Sequence, residues 1–106
     1  MANQISDQTW QPWQVGQVRY LKAPPAPGEG VEAGLWRGTS KDVPDRSRVR
    51  YKRDEYIYVI SGMVRLETDG GKSHDLRPGD CFAFNRGDVV YWTILSETFE
   101  EFFVYV

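Results

Sequence analysis

The sequence predicts an all-β fold, an antiparallel β-barrel of jelly-roll type, from three observations. Short runs of β-branched and aromatic residues recur along the chain of 106 residues, and glycine, proline, asparagine or aspartate turns separate them. Aromatic residues make up 14% of the chain, which is typical of well-filled β structure. No sustained apolar repeat at helical spacing follows a helix-capping residue. Many short strands leave exposed edges, and closure as a jelly roll is the usual remedy.

The predicted strands and turns follow one another at short intervals. Strands are expected at residues 14–21, 31–38, 48–51, 55–60, 63–68, 73–76, 81–84, 89–95 and 99–106. The loop at residues 23–30 contains three prolines, which cannot donate to a β ladder, so it ends the first strand. The glycine pair Gly70-Gly71 predicts a hairpin, and Gly62 and the Pro78–Asp80 segment predict further turns.

Residues 1–22 are predicted to form an N-terminal arm that precedes a barrel of residues 23–106. The arm contains Trp10, Trp13, Val15 and Val18, which are too apolar for a free tail. We expect this arm to form a strand and to pack against the barrel or a second copy of it. Because small jelly rolls have exposed edges that a partner strand can cover, the arm predicts a homodimer.

Composition restricts the partners and the compartment. The net charge is −2, from 13 basic and 15 acidic residues, so the chain has no electrostatic footprint for nucleic acid or an anionic membrane. A single cysteine, Cys81, cannot form an internal disulfide, which favours a reducing compartment. The first residues lack the pattern of a signal peptide, and no apolar run approaches the roughly 20 residues that span a bilayer. We therefore expect a cytoplasmic protein that binds neither nucleic acid nor a membrane.

Two blocks of the sequence carry a family resemblance. The first block consists of Glu55, Tyr58, Val59, Ile60 and Gly62, and the second of Pro78, Gly79, Asp80, Phe82, Phe84, Gly87 and Trp92. In this order and spacing they resemble the two motifs of the cupin superfamily. Residues 34–106 are similar to small single-domain cupins, in the branch that includes the ethanolamine-utilisation cupin and the ureidoglycine aminohydrolase cupin. The resemblance implies a cupin-like jelly-roll barrel and a homodimer.

The resemblance also implies a metal site, at positions that this chain fills with other residues. Cupins have two histidines before the glutamate of the first motif and a third in the second motif; here those positions hold Arg48, Arg50 and Val90. The only histidine, His74, lies in the turn between the blocks. Divalent metals need neutral imidazoles and carboxylates, and permanently charged guanidinium groups repel them. We therefore expect no bound metal and no other cofactor.

Arg48, Arg50 and Glu55 form the candidate site. Alternation along a strand puts both arginines on one face, and the cupin register would place that face inside the barrel beside Glu55. One interpretation is a set of structural ion pairs that fills the space of a metal. The other is an anion-binding pocket in which arginine grips a carboxylate or phosphate and Glu55 acts as a catalytic acid or base. Since two guanidiniums and one carboxylate leave about one positive charge, this second interpretation predicts a small anionic ligand.

Val90, Trp92 and Trp36 are expected to complete the ligand-binding wall. Val90 takes the position of the third cupin histidine, and each tryptophan offers a flat apolar surface on which a small ligand could stack. As core aromatics, both tryptophans also need no function beyond packing.

The remaining candidate residues are interpreted as structural. Tyr56 and Tyr58 alternate away from Glu55, which favours the surface or a dimer interface. His74 is interpreted as a solvated loop residue. The acidic group near the C-terminus is interpreted as solvated surface charge; it consists of Glu97, Glu100 and Glu101.

Three functions remain open from the sequence. The first is a metal-independent protein that binds a small anionic or polar metabolite inside the barrel. The second is a metal-independent acid–base enzyme, of isomerase, epimerase or lyase type, that acts on a small acid. The third is a non-catalytic accessory or regulatory protein whose barrel is filled. The fold does not decide among them, because one β-barrel architecture supports many activities.

Overall fold

The computed structural model describes residues 3–106 and shows an all-β chain in which every strand pairing is antiparallel. After a single 3-10 turn at Ile5–Asp7, the strands are β1 (Gln11–Pro12), β2 (Gln17–Lys22), β3 (Glu32–Thr39), β4 (Ser47–Arg50), β5 (Glu55–Ser61), β6 (Val64–Thr68), β7 (Ser73–Leu76), β8 (Cys81–Phe84), β9 (Val89–Ile94) and β10 (Thr98–Tyr105). Within the described residues, no helix is long and apolar enough to cross a membrane. The predicted antiparallel all-β fold class is confirmed.

The strands form two sheets that enclose one core. One sheet has six strands in the order β1-β2-β3-β10-β5-β8, and the other has four in the order β4-β9-β6-β7. Both sheets contribute side chains that are almost completely buried: Val18, Val59, Val64, Leu66, Phe84, Val90, Phe99 and Phe103. Burying a side chain of this size stabilises the fold by about 1.5–3 kcal/mol. This arrangement of two facing sheets is that of a jelly roll.

Strand β10 is one of the two middle strands of the larger sheet, and its neighbours fix the positions of the interior polar groups. It pairs with β3 on one side and with β5 on the other. Tyr105 lies opposite Glu32 on β3 and opposite Glu55 on β5, so these three residues form one row across the sheet. Glu101 lies opposite Trp36 on β3, in a parallel row four residues along β10. Directly opposite residues share a face, so both rows point to the interior.

The N-terminal arm folds onto its own chain. Strand β2 pairs with β3, so the boundary expected after residue 22 falls between two hydrogen-bonded strands of one sheet. Val18 is buried and Trp13 packs against the core. The guanidinium groups of Arg19 and Arg37 lie over the ring of Trp10, 4.9 and 4.0 Å from its centroid. These contacts cover Val18 and part of Trp13 within the same chain, whereas Val15 is 44% exposed. The homodimer stays a prediction that sedimentation of the full chain can test.

The outer face of the six-stranded sheet carries the two tyrosines that the sequence assigned to the surface or to a dimer interface. Tyr56 and Tyr58 are each 47% exposed on this face, as the alternation along β5 predicted, and Ile60 is also exposed. Tyr56 and Tyr58 border a shallow apolar depression together with Phe102 and Val104.

The turn between β5 and β6 depends on Gly62. Its φ is +81°, a conformation that costs an L-residue about 1–2 kcal/mol. A Cβ at this position would also collide with the backbone oxygen of Thr98. We therefore expect Gly62→Ala to lower the free energy of unfolding by about 3 kcal/mol or more, measured by urea denaturation.

Gly71→Ala is the matched control for this prediction. Gly71 has nearly the same φ, +83°, but a Cβ there has no heavy atom within 4 Å. It therefore carries the backbone cost without the collision, and we expect a loss of about 1 kcal/mol. Equal losses for the two variants would contradict the role of the contact with Thr98.

Candidate functional site

A cavity of about 640 Å³ lies between the two sheets. One part of its lining carries carboxyl groups, from Glu32, Glu55 and Glu101, and all three residues are buried. The other part is aromatic, with Tyr20, Tyr51, Tyr105, Phe103, Trp36 and Trp92. Polar groups that converge in a mostly apolar pocket are typical of small-molecule sites.

Glu55 lies at the start of β5 and points into the cavity, as the sequence predicted. The residue is only 4% exposed. Burial raises the pKa of the Glu55 carboxyl to about 8. The Tyr105 hydroxyl beside it and the charge of Arg53 act in the opposite direction, whereas the negative charge of Glu32 raises this pKa further. Glu55 therefore holds a proton at neutral pH and can exchange it close to that pH.

Glu101 is a second buried carboxyl, and its interpretation as solvated surface charge is wrong. It is 4% exposed, and its Oε1 has no hydrogen-bond partner among the described residues. Burial raises the pKa of Glu101 well above the ordinary value, and the nearby Glu55 raises it further. The sequence contained a usable signal, because Phe99, Glu101 and Phe103 alternate with period two and all three are buried.

Glu32 is the third buried carboxyl, and both of its oxygens have partners. Arg53 donates to Oε1 at 3.0 Å and Tyr20 donates to Oε2 at 3.0 Å. The guanidinium of Arg53 also lies 4.7 Å from the ring of Tyr105. Neither Glu32 nor Arg53 was among the predicted site residues, because their pairing joins positions 21 residues apart and leaves no local pattern.

Trp36 and Trp92 both line the cavity, and each indole is held by a hydrogen bond. Trp92 Nε1 donates to the hydroxyl of Tyr51 at 3.0 Å. Tyr51 in turn stacks on Phe84, with ring centroids 4.3 Å apart. Trp36 Nε1 donates to the backbone oxygen of Val15 at 2.7 Å. The indoles are therefore fixed walls of the cavity.

The two arginines of the predicted site do not point into the barrel. Arg48 and Arg50 are exposed and reach the cavity only at its margin, whereas Val49 between them packs against the core. Val49 lies opposite the buried Val90, so Val49 faces the interior. Arg48 and Arg50 flank Val49 along the strand and therefore face outward. Val90 itself packs in the core and is not part of the cavity wall. The expected surplus of positive charge inside the barrel is therefore wrong.

The described residues do not fit the metal site of the superfamily. Within residues 3–106, no group of three or more histidine, cysteine, aspartate or glutamate side chains is placed to hold a metal ion. His74 lies on β7 rather than in a solvated loop, half-buried with its ring 5.2 Å from that of Phe82. Arg48 and Arg50 stand outside, and Val90 offers no donor atom. A metal-free barrel stays a prediction, which elemental analysis of the isolated protein can test.

Comparison with solved structures places this architecture among known folds. The structure of ectoine synthase from P. lautus matches with a TM-score of 0.77 and 17% identity, covering 99% of this chain and 76% of that one. A putative ethanolamine utilization protein Q from Salmonella typhimurium LT2 matches with a TM-score of 0.62 and 15% identity, covering 84% of this chain and 67% of that one. The EutQ protein of Clostridium difficile gives a TM-score of 0.64 and 15% identity, over 84% and 60%.

The fold, the two sequence blocks and the cavity between the sheets define a cupin. At this level of identity the solved structures show the fold alone, and no curated protein sequence matches the chain. A family model matches residues 26–103, which is well over half of the chain. The chain belongs to the family described as the EutQ-like cupin domain.

Glu55→Gln is expected to change how the stability of the fold depends on pH. The pKa of Glu55 is about 8 in the folded chain against an ordinary 4.5, so between these values the folded state holds a proton that the unfolded state has lost. The free energy of unfolding therefore falls as pH rises through this window, by up to about 1.4 kcal/mol per pH unit. Glutamine does not ionise, so the variant should gain stability relative to the wild type from about pH 5 to about pH 8 and no further above that.

Urea denaturation at a series of pH values measures this difference. Glu97→Gln removes an exposed carboxyl and is the control for the loss of one negative charge. If the curves of Glu55→Gln and wild type run parallel across the window, the buried proton on Glu55 is disproved.

Proposed function

We propose that this chain is a metal-independent cupin that binds a small polar molecule in the cavity between its sheets. The observation that carries the proposal is the buried carboxyl of Glu55, which lines a cavity of about 640 Å³ together with Trp92 from the opposite sheet. A volume of this order accommodates a small metabolite. A rigid aromatic wall with a few fixed polar groups supplies both contact area and orientation.

The polar interior supports binding over the filled accessory barrel. Burying a carboxyl group is costly unless a partner satisfies it, so an interior with only a packing role would favour apolar side chains. This chain instead buries three glutamates that line the cavity. A ligand that binds these carboxyl groups would offset the free-energy cost of burying them, which apolar packing does not.

The acid–base enzyme is the second candidate function, and the environment of Glu55 favours it. Burial brings the pKa of Glu55 to about 8, which lies near neutral pH, where a group can both accept and donate a proton. Under this proposal Glu55 exchanges a proton with the bound molecule, and Tyr105 beside it positions the carboxyl. Among similar folds, one structure carries the name of a synthase, which is compatible with catalysis in such a barrel.

Thermal-shift measurements with a panel of small probes test whether the cavity binds a ligand. The panel contains amines, neutral alcohols and carboxylates. A probe at about a hundred times its Kd stabilises the native state by about 2.7 kcal/mol. For a domain of this size that corresponds to a rise in Tm of about 10 °C or more.

Two valine variants decide whether a shift comes from the cavity. Val49→Phe adds a ring where Val49 lines the cavity, and we expect it to abolish the shift. Val89→Phe adds the same ring on the neighbouring strand β9, on the opposite face and outside the cavity lining, and should leave the shift unchanged. A panel in which no probe raises Tm, or a shift that survives in Val49→Phe, would overturn the binding proposal.

A further inference from the structure

The charge balance of the cavity depends on which interior groups already have partners. Glu32 is neutralised by Arg53, whose guanidinium lies 3.0 Å from it. Within residues 3–106, no ion pair reaches Glu55 or Glu101. The interior therefore contains two carboxyl groups without a cationic partner. If both ionised they would leave two uncompensated negative charges in a poorly hydrated space, which is costly.

Glu101 supplies the observation that points to a ligand. Glu101 is 4% exposed and lines the cavity, and its Oε1 has no hydrogen-bond donor among the described residues. Leaving a buried acceptor unsatisfied costs about 1–3 kcal/mol, and more when the group is charged. A ligand that donates an N–H or O–H to this oxygen would recover that free energy.

The aromatic lining indicates the charge of that ligand. Tyr51, Tyr105 and Trp92 line the same cavity as the two carboxyl groups. Aromatic faces attract cations through their quadrupole, by about 0.5–2 kcal/mol depending on desolvation. An anion would meet two carboxyls, and Arg53, whose guanidinium also lines the cavity, already pairs with Glu32. Carboxyl groups beside aromatic faces, with an unsatisfied acceptor, suit a group that is both cationic and a hydrogen-bond donor.

We propose that the cavity binds a small organic cation, a primary or secondary ammonium compound, whose N–H groups donate to Glu101 and Glu55 against the aromatic wall. This inference rests on the proposed function of the cavity as a ligand site, and it replaces the anionic ligand that the sequence favoured. The apolar part of the molecule contacts Trp92 and Phe103, which line the cavity around these carboxyls.

Binding of a cation is linked to the protons on the two carboxyls. Burial raises the pKa of both and so favours their protonated forms, and an incoming ammonium group favours loss of a proton to the solvent. Other titratable or charged groups line the cavity: Tyr20 on β2, Glu32 on β3, Tyr105 on β10, Tyr51 and Arg53 between β4 and β5, and, at the exposed margin, Asp42, Arg48, Arg50 and Lys52. The marginal charges are screened by water and salt, so the buried pair controls the pH dependence.

Three probes of the same size separate charge from shape. Butylamine, butan-1-ol and butyrate each have four carbons in an unbranched chain and differ in charge. We expect butylamine to bind at least about tenfold more tightly than either of the others in an NMR titration of the full chain. Its affinity should rise as the pH rises towards and through about 8, because the Glu55 carboxyl loses its proton there. Calorimetry in two buffers of different ionisation enthalpy should show release of up to about one proton on binding at pH 7.

Variants of the two carboxyls test the contacts. Glu101→Gln and Glu55→Gln should each weaken butylamine binding by about tenfold, because each removes a carboxyl group that can ionise when the ammonium group binds. Two variants are used so that the test survives if one fails to fold, and Glu97→Gln, which changes an exposed carboxyl, should bind like wild type.

The outcomes distinguish this inference from the proposed function. If butan-1-ol or butyrate binds as tightly as butylamine, or if both glutamine variants bind butylamine like wild type, the cation site is wrong while a ligand cavity stands. If none of the three probes binds and no member of the thermal-shift panel raises Tm, both proposals fail.

Discussion

The alternation of side chains along β10 is the constraint on which the rest of the structure depends. This strand is hydrogen-bonded on both sides, to β3 and β5, so it cannot slip by one residue without breaking two ladders. A slip would also expose Phe99 and Phe103, which are at most 2% exposed. The same alternation places Glu101 between these two phenylalanines on the inner face. The carboxyl is therefore buried because the hydrophobic core fixes the register of its strand.

The interior thus combines two opposing demands. The core gains stability from apolar burial, while Glu55 and Glu101 share that space as carboxyl groups that must hold a proton or find a partner. Glu32 shows the other solution, since Arg53 and Tyr20 satisfy both of its oxygens. One sheet therefore contains a carboxyl that is already paired and two that are left for other partners. This difference separates a structural acid from candidate binding groups.

Features that depend on short segments were predictable from the sequence. The strand at Glu55–Ser61 was expected over nearly the same residues, because its alternation and the glycine turn after it are local signals. The inward direction of Glu55 was predicted from the register that the cupin resemblance implies. The inward and outward faces of β4 were not predictable. A strand of four residues has too short a pattern to show whether Val49 or its two arginine neighbours are buried. Val49 faces the core only because β4 pairs with β9 in a particular register, and that pairing is not local.

The position of β10 has a consequence for how the chain acquires its structure. Strand β10 follows in sequence both strands that it joins, so β3 and β5 lack their common neighbour until residue 105 has been synthesised. Strands about 60 residues apart, such as β3 and β10, can pair only after a long loop has closed. The entropy of closing that loop is lost before the stabilising contacts form, which slows folding. Until then two strands with apolar faces remain unpaired at adjacent edges, where they are vulnerable to association with other chains. We therefore expect a growing chain to remain unassembled until late in synthesis and to depend most on cellular chaperones during that interval.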